Sequence, residues 1–254
     1  MKFAVVGTGK AATALTGALL KAGHELVMGW AHTVASGEAF RKQFDSKVVY
    51  DLRELVPTDL VLIAVKDDVV EQVMASFPSS NAIVVLISGF AAAAPLSKYT
   101  RNYGIFYPFV SMTKDTVDFS EVLFMIEGSN EGTTNQLREW ALTITGTIQI
   151  TNIDQRRQLH LAAVVAQNFS NHLNYIASKL LEEKGLSFDL IKPLLQRYVE
   201  TLQQQSPVNL QTGPAIRGDV ATIAQHEKML DHHPQWQQLY RWFTEQIQNT
   251  AARQ

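Results

Sequence analysis

The chain has 254 residues, 46% of them hydrophobic and 18% charged, with a formal net charge of -2. That length exceeds the usual reach of one hydrophobic core, so two domains are expected in a soluble globular protein. A near-neutral balance without a dense Lys/Arg run excludes the electrostatic footprint of a nucleic-acid or membrane-surface binder, and the absence of cysteine excludes disulfides, a thiol nucleophile and Cys-type zinc sites.

Met1-Lys2 runs straight into strand-like text, without the layout of a signal peptide. No apolar run reaches the roughly 20 residues of a membrane helix. With no cysteine, which suits a reducing compartment, a cytoplasmic protein is expected.

Residues 2 to about 150 alternate short β-branched runs with helical segments. The first strand, Phe3–Val6, leads into Gly7-Thr8-Gly9-Lys10-Ala11-Ala12 and the helix Ala11–Ala22. This is a G-x-G-x-x-A loop between a strand and a helix. Gly7 permits the tight turn, Gly9 lets the backbone approach a pyrophosphate, and Ala12 is small enough for close helix–strand packing. The helix N-terminus favours the anion, so the loop is read as a dinucleotide site or as a turn of that shape without a ligand.

The second strand, Glu25–Gly29, lacks the acid that would receive the adenosine ribose hydroxyls about 20 residues after the loop. Its end reads Gly29-Trp30-Ala31-His32-Thr33, with Glu25 too early and Glu38 too late. His32 and Thr33, with Arg41 and Lys42 of the helix Glu38–Phe44 nearby, suit a 2′-phosphate and tilt the reading from NAD to NADP. A solvated loop is the alternative for His32 and Thr33.

The strands Lys47–Tyr50, Leu60–Val65, Ala82–Ser88, Gly104–Tyr107, Val122–Glu127 and Thr147–Ile150 follow, with a helix over Asp68–Ala75. Continuous apolar strands alternating with helices predict a mostly parallel, doubly wound sheet. Ligands of such sheets lie beyond the carboxyl ends of the strands. Val65 and Lys66 are read there as cofactor contacts, and Asp67 or Asp68 as the cap of the next helix. Ser88-Gly89 offers a hydroxyl and a close-approach backbone to cofactor and substrate, or a plain strand-ending turn. Tyr107 offers a phenol, or packing, and Lys114 a cation.

After residue 150 the strand signal stops. Asp154–Lys184, Phe188–Gln205, Asp219–Leu230 and Pro234–Ala251 read as helices, with Asp219 and Pro234 as start signals and Gly185 as a stop. At about 100° per residue, His160, Gln167, Asn168, Asn171 and Asn174 share one uncharged polar stripe. The opposite side (Leu161, Val165, Phe169, Leu173, Ile176, Leu180) is expected in the core. The stripe is a solvated or interface face, or a site in which Asn168 binds a nicotinamide amide or substrate oxygen and His160 moves a proton. The loop Gln211–Asp219 holds Arg217, suited to an acidic substrate group or to an internal ion pair. Trp236, Tyr240, Trp242 and Phe243 read as core or subunit contact.

Taken together, Gly7-Thr8-Gly9-Lys10-Ala11-Ala12, Ala64-Val65-Lys66-Asp67-Asp68, Ser88-Gly89, His160-Leu161-Ala162-Ala163, Asn168-Phe169 and Gln211–Asp219 carry a resemblance over nearly the whole length. The chain resembles Rossmann-fold NAD(P)-binding proteins with a C-terminal helical domain of unknown function. These are relatives of ketopantoate reductase, pyrroline-5-carboxylate reductase, the 3-hydroxyisobutyrate dehydrogenases and deazaflavin-dependent NADP oxidoreductases. The resemblance implies an NAD(P)-binding Rossmann domain followed by an all-α, 6-phosphogluconate-dehydrogenase-like domain, which the change in pattern alone bounds at 1–150 and 151–254. It further implies a homodimer formed through the helical domain and hydride transfer to or from a small polar substrate at a cleft between the domains.

The chain departs from these relatives at three positions. Leu86 stands where they commonly have His, Tyr107-Pro108 where they have His-Pro, and Val164 where the dehydrogenases carry a catalytic Lys. A catalytically lapsed dinucleotide-binding or sensing protein is therefore the second reading. His160 is the best acid/base left, with Tyr107 behind it.

Overall fold

A computed structural model describes residues 1–78, 80–112 and 117–252; Lys114 lies outside the described residues. Two compact units are present, Met1–Val164 and Val165–Gln254.

The first unit is built on one eight-stranded sheet. Its strands are β1 (Lys2–Val6), β2 (Glu25–Trp30), β3 (Val48–Val49), β4 (Leu60–Ile63), β5 (Ile83–Leu86), β6 (Tyr103–Pro108), β7 (Phe124–Gly128) and β8 (Ile148–Ile150). The order is β3-β2-β1-β4-β5-β6-β7-β8. Every pair is parallel except β6 with β7. Helices α1 (Lys10–Lys21), α2 (Val34–Phe44), α3 (Val70–Ala75), α4 (Glu131–Leu142) and α5 (Ile153–Ala163) complete the unit.

The continuous apolar strands are explained by a sheet buried on both faces. Side chains alternate across a strand, and the core divides accordingly. Phe3, Val5, Leu60, Leu62 and Val85 join one cluster with α1 and α4. Ala4, Val6, Val61, Ile63, Val84 and Leu86 join the other with α3. The order reverses at β1, between β2 and β4, and this switch point carries the glycine loop. Leu86 is 2% exposed and belongs to the core.

Helix starts differ from the sequence expectation where capping decides them. α2 begins at Val34 because the Thr33 side chain accepts from the Ser36 amide. Thr33 is thus a helix cap. Neither Asp67 nor Asp68 caps the following helix: they lie inside a short 3₁₀ turn, Asp67–Val69, that precedes α3. α4, which the pattern did not single out, starts at Asn130, whose side chain accepts from the Thr133 amide.

The first long helix expected after residue 150 is interrupted. α5 starts on a capping box between Asn152 and Gln155. Residues Val164–Phe169 then form a π-type segment before α6 (Ser170–Glu182) begins. A π segment has i→i+5 bonding, so the 100° stripe does not run unbroken from His160 to Asn174.

The second unit also contains α7 (Lys192–Leu202), α8 (Pro214–Arg217), α9 (Val220–Met229) and α10 (Pro234–Ala251). Asp219 caps α9 as expected, accepting from the Thr222 amide at 3.1 Å, and Gly185 closes α6 with a φ of 68°. The face expected in the core is largely outside it in this chain. Leu161, Val165, Phe169 and Leu173 are exposed, whereas Ile176 is buried. Trp242 and Phe243 are exposed as well. No described helix is long and apolar enough to cross a membrane.

Candidate functional site

The glycine loop is shaped at Gly7 by the protein itself. Its φ is 106°, and a Cβ there would lie 2.5 Å from the Ala64 carbonyl oxygen. Its amide donates to the Trp30 carbonyl at 2.9 Å, tying the loop to β2. Gly9 is different. With φ at -77° it has ordinary backbone, and a Cβ would meet no protein atom within 4 Å. The fold makes no demand for glycine there, and the space beside the start of α1 is open. Ala12 is fully buried against the sheet, while Thr8, Lys10 and Ala11 are at least partly exposed. α1 has neither a side-chain cap nor an acid in its first turn, so its N-terminal amides and dipole face that space. This donor set suits a phosphate, and the cradle fits a dinucleotide.

An open groove of about 910 Å³ continues from Thr8, Gly9 and Lys10 along the outer side of α1 to Lys21, walled by Asp118, Phe119 and Ser120. It contains none of the acid/base candidates.

At the end of β2, His32 is exposed beside Trp30, their ring centroids 6.3 Å apart. Arg41 is engaged by Glu38: its Nη2 lies 2.7 Å from Oε2, and Nε also donates to the carboxylate. Both side chains are exposed. At the end of β4, Val65 is half-buried and Lys66 exposed.

Ser88, just past β5, has its hydroxyl committed. It donates to Asp67 at 3.0 Å and accepts from the amides of Phe90 and Ala91 at 3.1 and 2.9 Å. Its carbonyl accepts from Arg156 Nη1 at 3.3 Å. The residue fixes the turn that presents Gly89.

Gly89 leaves room for two rings. The Tyr107 hydroxyl, at the end of β6, lies 3.4 Å from His160 Nδ1 on α5, and the rings meet edge to face with centroids 6.3 Å apart. A Cβ on Gly89 would stand 2.6 Å from that Nδ1 and 2.9 Å from the Tyr107 ring carbon Cζ. Burial pushes the phenol above its usual value, and the positive charge of Arg156 opposes that shift. A phenol and an imidazole in contact at the carboxyl edge of a parallel sheet can pass a proton between them and to a ligand.

Arg156 and Arg157 dock α5 on the sheet, and both escaped the sequence reading. Arg156 is fully buried, its Nη2 3.0 Å from Glu127 Oε2 on β7. Its Nε has no hydrogen-bond partner. Arg157 donates from Nε to the Phe90 carbonyl at 2.9 Å, and its guanidinium stands 4.6 Å over the Phe90 ring. The available signal was spacing: Arg156 precedes His160 by four residues, one helical turn on the same face. A buried ion pair is weak evidence for stability because desolvation offsets its attraction. The orphaned Nε costs about a further 1–3 kcal/mol.

Asn168 is exposed within the π-type segment and belongs to the second unit. Arg217 is exposed at the end of α8. Among the described residues no group of three or more His, Cys, Asp or Glu could hold a metal ion.

Comparison with known proteins bears on the family and the fold. Residues 2–92 match the family described as NADP oxidoreductase coenzyme F420-dependent. Residues 122–247 match a domain of unknown function, DUF2520, which therefore starts inside the sheet. A crystal structure from Bacteroides fragilis, provisionally assigned as an NADP oxidoreductase, superposes with a TM-score of 0.90 at 30% identity, covering 98% of each chain. An imine reductase from Myxococcus stipitatus in complex with NADP+ gives 0.69 at 14% identity, over 100% of this chain and 93% of that one. The 1-pyrroline-5-carboxylate reductase of Streptococcus pyogenes gives 0.64 at 13% identity over 98% of both. The last two likenesses concern the fold. A search of curated proteins returned no match. The chain belongs to the family of NADP oxidoreductase-type Rossmann proteins whose C-terminal part is the DUF2520 domain.

Proposed function

We propose that the protein is an NADP-dependent oxidoreductase acting on a small polar substrate, with Tyr107 and His160 moving the proton that accompanies hydride transfer. The observation that carries this reading is the contact of these two rings beside Gly89. Gly7, Thr8, Gly9, Lys10, Ala11 and Ala12 would hold the pyrophosphate, and Val65, Lys66 and Gly89 would border the rest of the cofactor. His32 and Thr33 would lie at the adenosine end. NADP, when bound, supplies the hydride carrier. In either direction His160 takes or gives a proton at Nδ1 through the Tyr107 hydroxyl. Ser88 serves by shaping the turn, while Asn168 and Arg217 are proposed as substrate contacts.

Residues 1–150 are proposed as the cofactor domain and 151–254 as the substrate and dimerisation domain. Homodimerisation through the helical part is supported by the exposed apolar side chains Leu173, Leu190, Leu194, Tyr198, Val199 and Trp242. A cytoplasmic location rests on the cysteine-free composition.

A second reading, a nucleotide-binding or sensing protein without turnover, is favoured by one observation. The Ser88 hydroxyl, just past β5, is fully engaged and Leu86, at its end, is in the core, so neither side chain donates to a ligand there. Calorimetric titration with NADP, NADPH, NAD and NADH, followed by turnover assays on keto acids, imines and hydroxy acids, separates the two. Binding with turnover on any of these supports the enzyme. Binding without turnover supports the sensor, and no binding at millimolar cofactor overturns both.

A further inference from the structure

We infer that Arg156, gripped by Glu127 and by the Ser88 carbonyl, is a positioning residue that holds His160 against Tyr107. The inference rests on the reading of Tyr107 and His160 as the proton-transfer pair, but its test needs neither cofactor nor substrate.

Three observations support it. Arg156 lies one turn before His160 on α5, so whatever fixes the guanidinium fixes the imidazole's height above the sheet. Its two anchors, Ser88 and Glu127, flank β6, the strand that carries Tyr107. The guanidinium is fully buried with one N–H unpartnered, an arrangement that a purely stabilising contact does not require.

Charged and titratable groups approach Tyr107 and Gly89 from two elements, with Arg157 of α5 engaged by the neighbouring Phe90. From α5 come His160, in contact, and Arg156, whose charge favours the ionised phenol. From β7 the register neighbour is Met125, and Glu127 lies behind Arg156. Asp67 accepts from the Ser88 hydroxyl, next to Gly89.

The test is an NMR titration of full-length protein carrying ζ-¹³C tyrosine, with Tyr107 assigned through Tyr107→Phe and the His160 ring nitrogens followed alongside. In Arg156→Met, loss of the positive charge should move Tyr107 ionisation upward, and the Nδ1 shift should lose its hydrogen-bonded value. In Glu127→Gln the guanidinium is unneutralised, and the same ionisation should move downward. Arg156→Lys should recover part of the wild-type value. Opposite signs in the first two variants establish the role, since general loosening would move both the same way. An unchanged Tyr107 titration in Arg156→Met, or shifts of one sign in both, overturns it. Should Arg156→Met fail to fold, Glu127→Gln decides alone: no downward shift overturns the inference. Failure of the oxidoreductase reading would instead appear in the cofactor titrations and leave these shifts intact.

Discussion

The His160 Nδ1 atom stands 3.4 Å from the Tyr107 hydroxyl, although the two residues lie 53 positions apart, on a helix and on a strand. The contact exists because Gly89 is between them and has no side chain. His160→Ala should reduce turnover by about 10²–10⁴-fold, the usual worth of positioned acid/base catalysis, and Tyr107→Phe should act similarly. NADPH affinity should stay within about twofold in both, because neither residue touches the glycine loop. Single-turnover absorbance at the nicotinamide band, with calorimetry beside it, measures the two quantities separately. Full turnover in His160→Ala would remove the imidazole from the mechanism.

Gly89→Ala tests the same contact from the other side. The added methyl would stand 2.6 Å from His160 Nδ1 and 2.9 Å from Tyr107 Cζ, so the two rings must be pushed apart. Overpacking of this kind costs about 1–3 kcal/mol, which should lower the melting temperature without unfolding the protein. Turnover should fall about as far as in His160→Ala. A variant that keeps its activity would show that the pair tolerates separation.

Gly7 and Gly9 should respond oppositely. Gly7→Ala combines a φ of 106° with a 2.5 Å approach to the Ala64 carbonyl, and the protein should be clearly destabilised. Gly9→Ala meets nothing and keeps an ordinary φ. Its stability should stay within about 1 kcal/mol, while dinucleotide affinity falls at least about tenfold. Thermal unfolding and calorimetry on the two variants would show the contrast; unchanged affinity in Gly9→Ala would place the cofactor elsewhere.

The strands were readable because a sheet covered on both faces writes itself as unbroken apolar runs, and each of the eight expected runs overlaps a strand of the sheet. The glycine loop was readable because its spacing encodes a turn. α4 was not, since Gly132, Thr133 and Thr134, weak helix formers, follow its first residue Glu131, and it depends on the Asn130 cap and on burial of Thr133, Leu137 and Ala141. The π-type segment left no periodic mark, because one widened turn only displaces the stripe it interrupts. Arg156 was invisible for a different reason. Arginine on a helix usually faces water, and its burial here depends on Glu127 of a distant strand and on the Ser88 carbonyl.

Alkaline stability should depend on Tyr107. Burial raises its folded pKa above the unfolded value of about 10. The stability gained by keeping the phenol neutral is therefore full below about pH 10 and is lost as pH rises through the folded pKa. Between pH 7 and 9.5, melting temperatures of wild type and Tyr107→Phe should run parallel. Above pH 10 the wild type should fall more steeply. Equal slopes would mean that the folded environment does not favour the neutral phenol.

Cofactor choice should turn on Glu38. Arg41 is the arginine nearest in sequence to His32 and Thr33, yet its guanidinium is held in a bidentate-type contact by Glu38 one turn earlier. That pair is exposed, so it contributes little to stability, and Glu38→Gln should leave the melting temperature almost unchanged. Release of Arg41 provides a planar donor suited to a 2′-phosphate. The ratio of NAD to NADP dissociation constants should accordingly rise about three- to tenfold at low salt and shrink again as ionic strength increases. Arg41→Ala alone should change the ratio little if Glu38 already occupies the guanidinium, and Glu38→Gln combined with Arg41→Ala should cancel the gain. Should Glu38→Gln leave the ratio flat at every salt concentration, Arg41 has no part in the adenosine end, and His32 with the capped start of α2 must carry the discrimination.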